Sequence, residues 1–275
     1  MLELIKQAFL EWRKDNASML AASLSFYSLF SLIPLLIMVI MIAGAFFGES
    51  AVQRELLNQI GTLLNEKAAS ALKKFIENSY NILSGVIYPV VGFLILIYGA
   101  TKVFVYTRMA LNIIWDVSIE KKLALIQSIK TYFLSFLLVM GTALLLLLSL
   151  SAVTFIEKLV PYFERFSPSE INLFKFSHFI VFIGMITFMV GMLYWILPQV
   201  RIPFKVVWPG ALLTAILFLV GNYFIGLFLS YSSFTSIFGA AASLVGIMLW
   251  VYYSAQIFLF GAEFTKVYAR EIKRN

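Results

Sequence analysis

The residues of this chain best placed to do chemistry are charged and polar groups inside, or at the ends of, long apolar blocks. They are Lys102, Arg108 and Glu263, with Tyr27, Asn112, Asn222 and Gln256. An ionisable group in a hydrocarbon-like setting is costly, so each is a functional candidate by default. Lys102 and Glu263 fall near the same end of two blocks, and a Lys102–Glu263 pair would neutralise both; if they pair, exchanging the two residues should rescue either single mutant. The long stem of Lys102 also suits snorkelling toward a headgroup layer. The amides suit hydrogen bonds between neighbouring helices, and Tyr27, Tyr98, Tyr252 and Tyr253 suit a polar crevice or an interface belt. Asp116 and Glu120, four apart, are expected to pair with Lys121, Lys122 or Arg108 rather than bind Mg²⁺. Asp15 or Asn16 has the chemistry to cap a following helix.

Catalytic patterns are missing. There is no clustered His/Asp/Glu set, no phosphate-cradling glycine loop followed by Lys and Ser/Thr, and no GxSxG elbow. The chain has no cysteine, which removes disulfides and thiolate metal sites, and its single histidine, His178, has no partner ligand. The residues therefore predict no enzymatic activity, no cofactor and no metal centre.

The elements that must position these groups are six apolar blocks. Hydrophobic residues make up 61% of the 275 and charged ones 13%, and the charges collect between the blocks. About 20 apolar residues match the roughly 30 Å hydrocarbon core of a bilayer. Blocks at 17–47, 82–107, 131–156, 174–197, 207–229 and 242–265 predict an all-α, polytopic membrane protein with six transmembrane helices. They form a single membrane domain over residues 1–275. A β-barrel is excluded because its strands show about ten residues of alternation, whereas 144–148 is an unbroken leucine run.

Around the spans, Leu2, Ile5, Ala8, Phe9 and Trp12 recur at helical spacing and predict an amphipathic, interfacial N-terminal helix. The segment lacks a signal-peptide pattern, so span 1 is expected to act as the first signal-anchor. Loop 48–81 is polar but periodic: Leu56, Leu57, Ile60, Leu63 and Leu64 mark one helix, and Ala71, Leu72, Phe75 and Ile76 a second. That predicts an extracytoplasmic helical hairpin after span 1. Span 1, at about 1.5 Å per residue, runs to roughly 46 Å, so it is tilted or kinked, with Pro34 as the hinge candidate. Gly85, Gly92 and Gly99 line one face of span 2, and Gly246 lies near the start of span 6; such faces imply close helix packing. Loop 230–241 has no charge and is either an interfacial loop or one that re-enters the membrane.

Basic residues set the orientation. Lys6, Arg13, Lys14, Arg108, Lys121, Lys122, Lys130, Arg201, Lys205, Lys266, Arg270, Lys273 and Arg274 fall on one side of a six-span topology. The other side carries only Arg54, Lys67, Lys73, Lys74, Lys158 and Arg165. The richer side is expected to be cytoplasmic, with both termini. The net charge of +7 and pI near 9.5 are then a topology signal. No clustered soluble basic face points to a nucleic-acid partner.

Four blocks carry a family resemblance: AASLSFYSLFSLIPLL at 21–36, ALNIIWDV at 110–117, WPGALLTAILF at 208–218 and GIMLWVYYSAQIFLFGAEF at 246–264. In that order, the chain resembles the YihY/BrkB family of six-span bacterial membrane proteins over nearly its whole length. The pattern selects Ser25, Tyr27, Pro34, Asn112, Trp115, Pro209, Gly210, Trp250, Tyr252, Gly261 and Glu263. It departs at Phe238-Gly239, where the family usually has Tyr-Gly. The resemblance implies a bacterial inner-membrane protein tied to envelope integrity and lipid transport; the family's old ribonuclease label finds no nuclease residues here.

The expected function is transporter-like handling of an envelope lipid or other amphipathic substrate. Lys102, Arg108 and Glu263 would engage the headgroup while small-residue faces admit acyl chains. The alternative is a scaffold that supports the envelope through protein partners, using loop 48–81 and the N-terminal helix. A channel would need a continuous polar helix face, and only scattered polar positions are present. Nothing in the sequence fixes an oligomeric state.

Overall fold

The computed structural model describes residues 2–63, 70, 73, 87–117, 170–231 and 242–274. The regular elements among them are seven helices: α1 Leu2–Lys14, α2 Ala17–Phe47, α3 Glu49–Leu63, α4 Ile87–Ile114, α5 Glu170–Ile196, α6 Phe204–Tyr231 and α7 Ala242–Arg274. The shortest of α2, α4, α5, α6 and α7 has 27 residues, about 40 Å of helix. These five coincide with five of the six apolar blocks. Block 131–156, Gly85, Glu120, the second half of the hairpin and most of loop 230–241 lie outside the described residues. Within α6 and α7, Phe204–Ile225 and Val245–Arg274 are long and apolar enough to cross a membrane.

Helix α7 is the hub. It packs against α6, α2, α1 and α4, while α2 also packs on α4 and α3, and α5 on α6. The core joins Ala17, Ala21 and Leu24 of α2 to Leu111 and Ile114 of α4, Tyr194 of α5, Val207 and Ala211 of α6, and Leu259 and Ala262 of α7. Much of the packing surface is small. Gly210 on α6 faces Gly261 on α7 so closely that a Cβ on Gly210 would stand 2.7 Å from the Gly261 carbonyl oxygen.

The outer face of α6 inverts the soluble pattern. Leu212, Ile216, Val220, Tyr223 and Phe224 are exposed, while Ala211, Thr214, Ala215 and Gly221 face inward. Large apolar groups outward and small ones inward is the arrangement of a helix whose solvent is hydrocarbon. At the α5–α6 corner, Phe204 packs edge-on to Trp195 and Trp208, with ring centroids 5.5 and 5.1 Å apart. Aromatic groups at a helix end suit the headgroup level.

Three local expectations change. Helix α4 continues to Ile114, so Arg108 and Asn112 stand on a helix rather than in a loop, and α7 continues well past Phe264 to Arg274. Neither Asp15 nor Asn16 acts as the anticipated cap. Asn16 adopts φ 50, ψ 39 without a side-chain cap bond, and its carbonyl instead accepts from Met19 N at 2.9 Å. Asparagine tolerates this left-handed conformation, which turns the chain between α1 and α2 and frees Asp15 for another partner. Around Pro34, α2 stays continuous from Ala17 to Phe47.

Candidate functional site

Six charged side chains meet at one end of the bundle. Helix α7 contributes Glu263, Lys266 and Arg270, whose spacings of three and four stack them on one face. Glu11 sits on α1 with Asp15 four residues later, and Asp116 follows the end of α4. Lys266 Nζ lies 3.0 Å from Glu11 Oε2, 3.4 Å from Asp15 Oδ2 and 3.0 Å from Asp116 Oδ2, with its side chain only 3% exposed. Arg270 reaches Glu11 Oε1 at 3.2 Å and Asp116 Oδ2 at 3.1 Å from the half-exposed rim.

Glu263 is the outlier. It is completely buried, and neither carboxylate oxygen has a hydrogen-bond partner among the described residues. One of its oxygens lies within 4.8 Å of oxygens of both Glu11 and Asp15. Buried carboxylates are normally paired, so this group marks unfinished business in the cluster.

The cluster also sets a pH dependence. Partial burial works to raise the Glu11 carboxyl, but the hydrogen bond from Lys266 and the charges of Lys266, Arg270 and Lys14 outweigh it, holding it below its ordinary 4.5. The Lys266 hydrogen bond, against partial burial and with the same cations, holds Asp116 below its ordinary 3.8. A depressed carboxylate contributes stability that is complete above its unfolded pKa and is lost as pH falls through the folded one. The α1–α7 contact is therefore expected to hold from neutrality down to about the ordinary carboxylate range and weaken below it. Hydrogen exchange of α1 across an acid titration checks this; uniform protection down to strong acid would refute it.

Three separate groups of hydroxyl and amide contacts tie the helices together. Ser18 and Tyr252 share a 2.9 Å hydrogen bond, and Gln256 Nε2 donates to Ser18 Oγ at 3.3 Å. Tyr27 and Tyr106 hydroxyls are 3.1 Å apart with stacked rings. The Tyr194 hydroxyl, fully buried, sits 2.9 Å from Thr214 Oγ1 and also donates to the Phe258 carbonyl.

The expected site residues separate into different roles. Lys102 Nζ stands 5.3 Å from the Tyr98 ring centroid, a cation–π contact, and no ion pair joins it to Glu263 among the described residues. Asn222 Oδ1 accepts from Trp250 Nε1 at 3.0 Å, tying α6 to α7. Asn112 Oδ1 accepts from Gln199 N at 2.9 Å, fixing the α5–α6 corner to the end of α4. Gln256 bonds Ser18 and Tyr27 pairs with Tyr106, and Arg108 stands on α4. Gly92 and Gly99 lie on α4 and Gly246 on α7. Asp116 pairs with Lys266 and Arg270, which α7 brings to it by extending as a helix past Phe264; its expected partners Lys121 and Lys122 lie outside the described residues. Glu11, Asp15, Lys266 and Arg270 escaped the sequence reading; the usable signal was acidic residues four apart on α1 and charges three and four apart on α7.

A family model described as "Virulence factor BrkB" matches residues 8–275. Among curated proteins the chain is similar to a UPF0761 membrane protein of Psychrobacter sp. (strain PRwf-1), 27% identical over 91% of this chain and 45% of that protein. A UPF0761 membrane protein of Pseudoalteromonas translucida is 27% identical over 91% of this chain and 81% of its own length. One of Alteromonas mediterranea is 24% identical over 92% and 83%. The chain thus spans less than half the length of the first relative and about four-fifths of the other two. No solved structure matches.

Proposed function

This chain belongs to the virulence factor BrkB family of membrane proteins, and from that premise we propose that it handles an amphipathic envelope lipid in a transporter-like, non-enzymatic way. In this reading it is a six-span protein of the bacterial inner membrane with both termini in the cytoplasm. The observation that carries the reading is a division of chemistry along the bundle. A charged cluster occupies one end, separate hydroxyl pairs lie between α2 and α7 and between α2 and α4, and the outward face of α6 is apolar. An amphipathic lipid divides in the same way. Lys102 and Arg108 on α4 and the α7 charges would offer contacts at headgroup level, while the exposed apolar face of α6 would meet the chains.

The test is purification in native-lipid nanodiscs with mass spectrometry of the co-isolated lipids, beside an unrelated six-span protein. One lipid class is expected to be enriched severalfold, with the enrichment lost in Lys102→Gln and in Arg108→Gln. A bulk-like profile, unchanged by both substitutions, would overturn lipid handling and favour a scaffold acting through envelope protein partners.

A further inference from the structure

We infer that Glu11, Asp15 and Glu263 form a binding site for a hard divalent cation, of the Mg²⁺/Ca²⁺ class, at the junction of α1 and α7. The three carboxylates each direct an oxygen into a space where all lie within 4.8 Å of one another. Oxygens bound to Ca²⁺ at about 2.3–2.6 Å, or to Mg²⁺ at about 2.0–2.1 Å, fall within that separation. Three acidic side chains alone would be unremarkable. The independent observation is Glu263, wholly buried, with neither oxygen meeting a hydrogen-bond donor among the described residues and with the Asp15 carboxyl as its neighbour.

Charge balance points the same way. Among the described residues the carboxylates of Glu11, Asp15, Asp116 and Glu263 gather around one buried cation, Lys266, with Arg270 at the half-exposed rim. Lys14 is 3.8 Å from Glu11 but 65% exposed, so solvent screens most of its effect. Lys266 makes its ion pairs with Glu11, Asp15 and Asp116, and it acts on Glu263 by its charge alone. A divalent ion would bridge Glu263 to Glu11 and Asp15 and relieve the crowding of three acidic groups within 4.8 Å of one another. The ligand set is all oxygen, which selects hard cations over zinc or copper. A lipid ammonium is disfavoured because Glu263 has no exposed surface for a bulky headgroup to meet.

The site joins two elements far apart in sequence, so the ion would fasten the N-terminal helix to the last one. This inference does not depend on lipid handling, and its readout is separate.

The experiment is Mn²⁺ titration of the full chain in zwitterionic nanodiscs, following free Mn²⁺ by electron paramagnetic resonance. One saturable Mn²⁺ per chain is expected, displaced by Mg²⁺ or Ca²⁺, and lost in both Glu263→Gln and Asp15→Asn. Asp116→Asn, which alters the cluster without removing a proposed ligand, should retain it and controls for folding. Absence of a saturable component in the native chain would overturn the site, as would binding that survives both ligand substitutions. An infrared band of a protonated carboxyl that persists at saturating Mn²⁺ and vanishes in Glu263→Gln would also overturn it, showing that a proton fills the position.

Discussion

Replacing Lys266 with methionine is expected to destabilise the protein by about 3–5 kcal/mol, the usual cost of stripping one partner from a buried ionic group. The stem of Lys266 is buried and its ammonium serves three carboxylates at once. Methionine preserves most of the apolar volume, so the loss reports charge rather than packing. Glu11, Asp15 and Asp116 would remain crowded beside Glu263, with Arg270 at the rim as their nearest cation. Adding Glu11→Gln and Asp116→Asn to the methionine variant should restore part of the stability, because it removes charges that had lost their partner. Thermal unfolding in nanodiscs, followed by tryptophan fluorescence, measures both steps. A methionine variant as stable as the native chain would show that Lys266 is not structurally coupled to the cluster.

The second large effect concerns the seam between α6 and α7. Gly261→Ala would set its new methyl group 2.7 Å from the Tyr194 hydroxyl and 3.1 Å from the Gly210 carbonyl oxygen. Gly210→Ala meets the Gly261 carbonyl at 2.7 Å and Thr265 Cβ at 3.1 Å. Backbone cannot rotate aside as a long side chain can, so the helices must separate, and Tyr194, Thr214 and Thr265 must shift together. Overpacking of this kind costs about 1–3 kcal/mol, occasionally more. Gly184→Ala on α5 is the control: nothing lies within 4 Å of its added methyl, and alanine's helix preference favours it by about 1 kcal/mol. Equal melting temperatures for all three variants would refute the close seam.

The long apolar helices show where sequence reading succeeds. Apolar run length locates α2 at its observed limits, because 31 residues without a charge can hardly do anything but form one long helix. Runs of apolar residues also place α5, α6 and the start of α7. The ends are harder. Past Phe264 the chain becomes charged, which resembles a tail, yet Lys266 and Arg270 lie on the same helical face as Glu263 and keep the helix going by meeting α1. Their partner acids, Glu11 and Asp15, look like ordinary surface charges on an amphipathic helix. Asp116 likewise has basic neighbours in sequence that seem sufficient partners. Such a cluster is created by tertiary contact, and no local period reveals it. The glycines of span 2 drew attention through their regular spacing, whereas the tight contact at Gly210 and Gly261 comes from two single glycines on different helices.

The bond between Asp15 and Lys266 closes a separation of 251 residues, and this has a consequence for biogenesis. Synthesis delivers Glu11, Asp15 and Asp116 long before Lys266 and Arg270 leave the ribosome. Until then the acidic groups stay hydrated, and α1 has no ionic reason to leave the membrane surface. The ionic part of α1 docking therefore has to wait for α7, and such a long-range closure is intrinsically slow. A chain stalled before residue 266 would display a loose amphipathic helix with unneutralised acids, a ready mark for quality-control proteases to tell unfinished copies from finished ones.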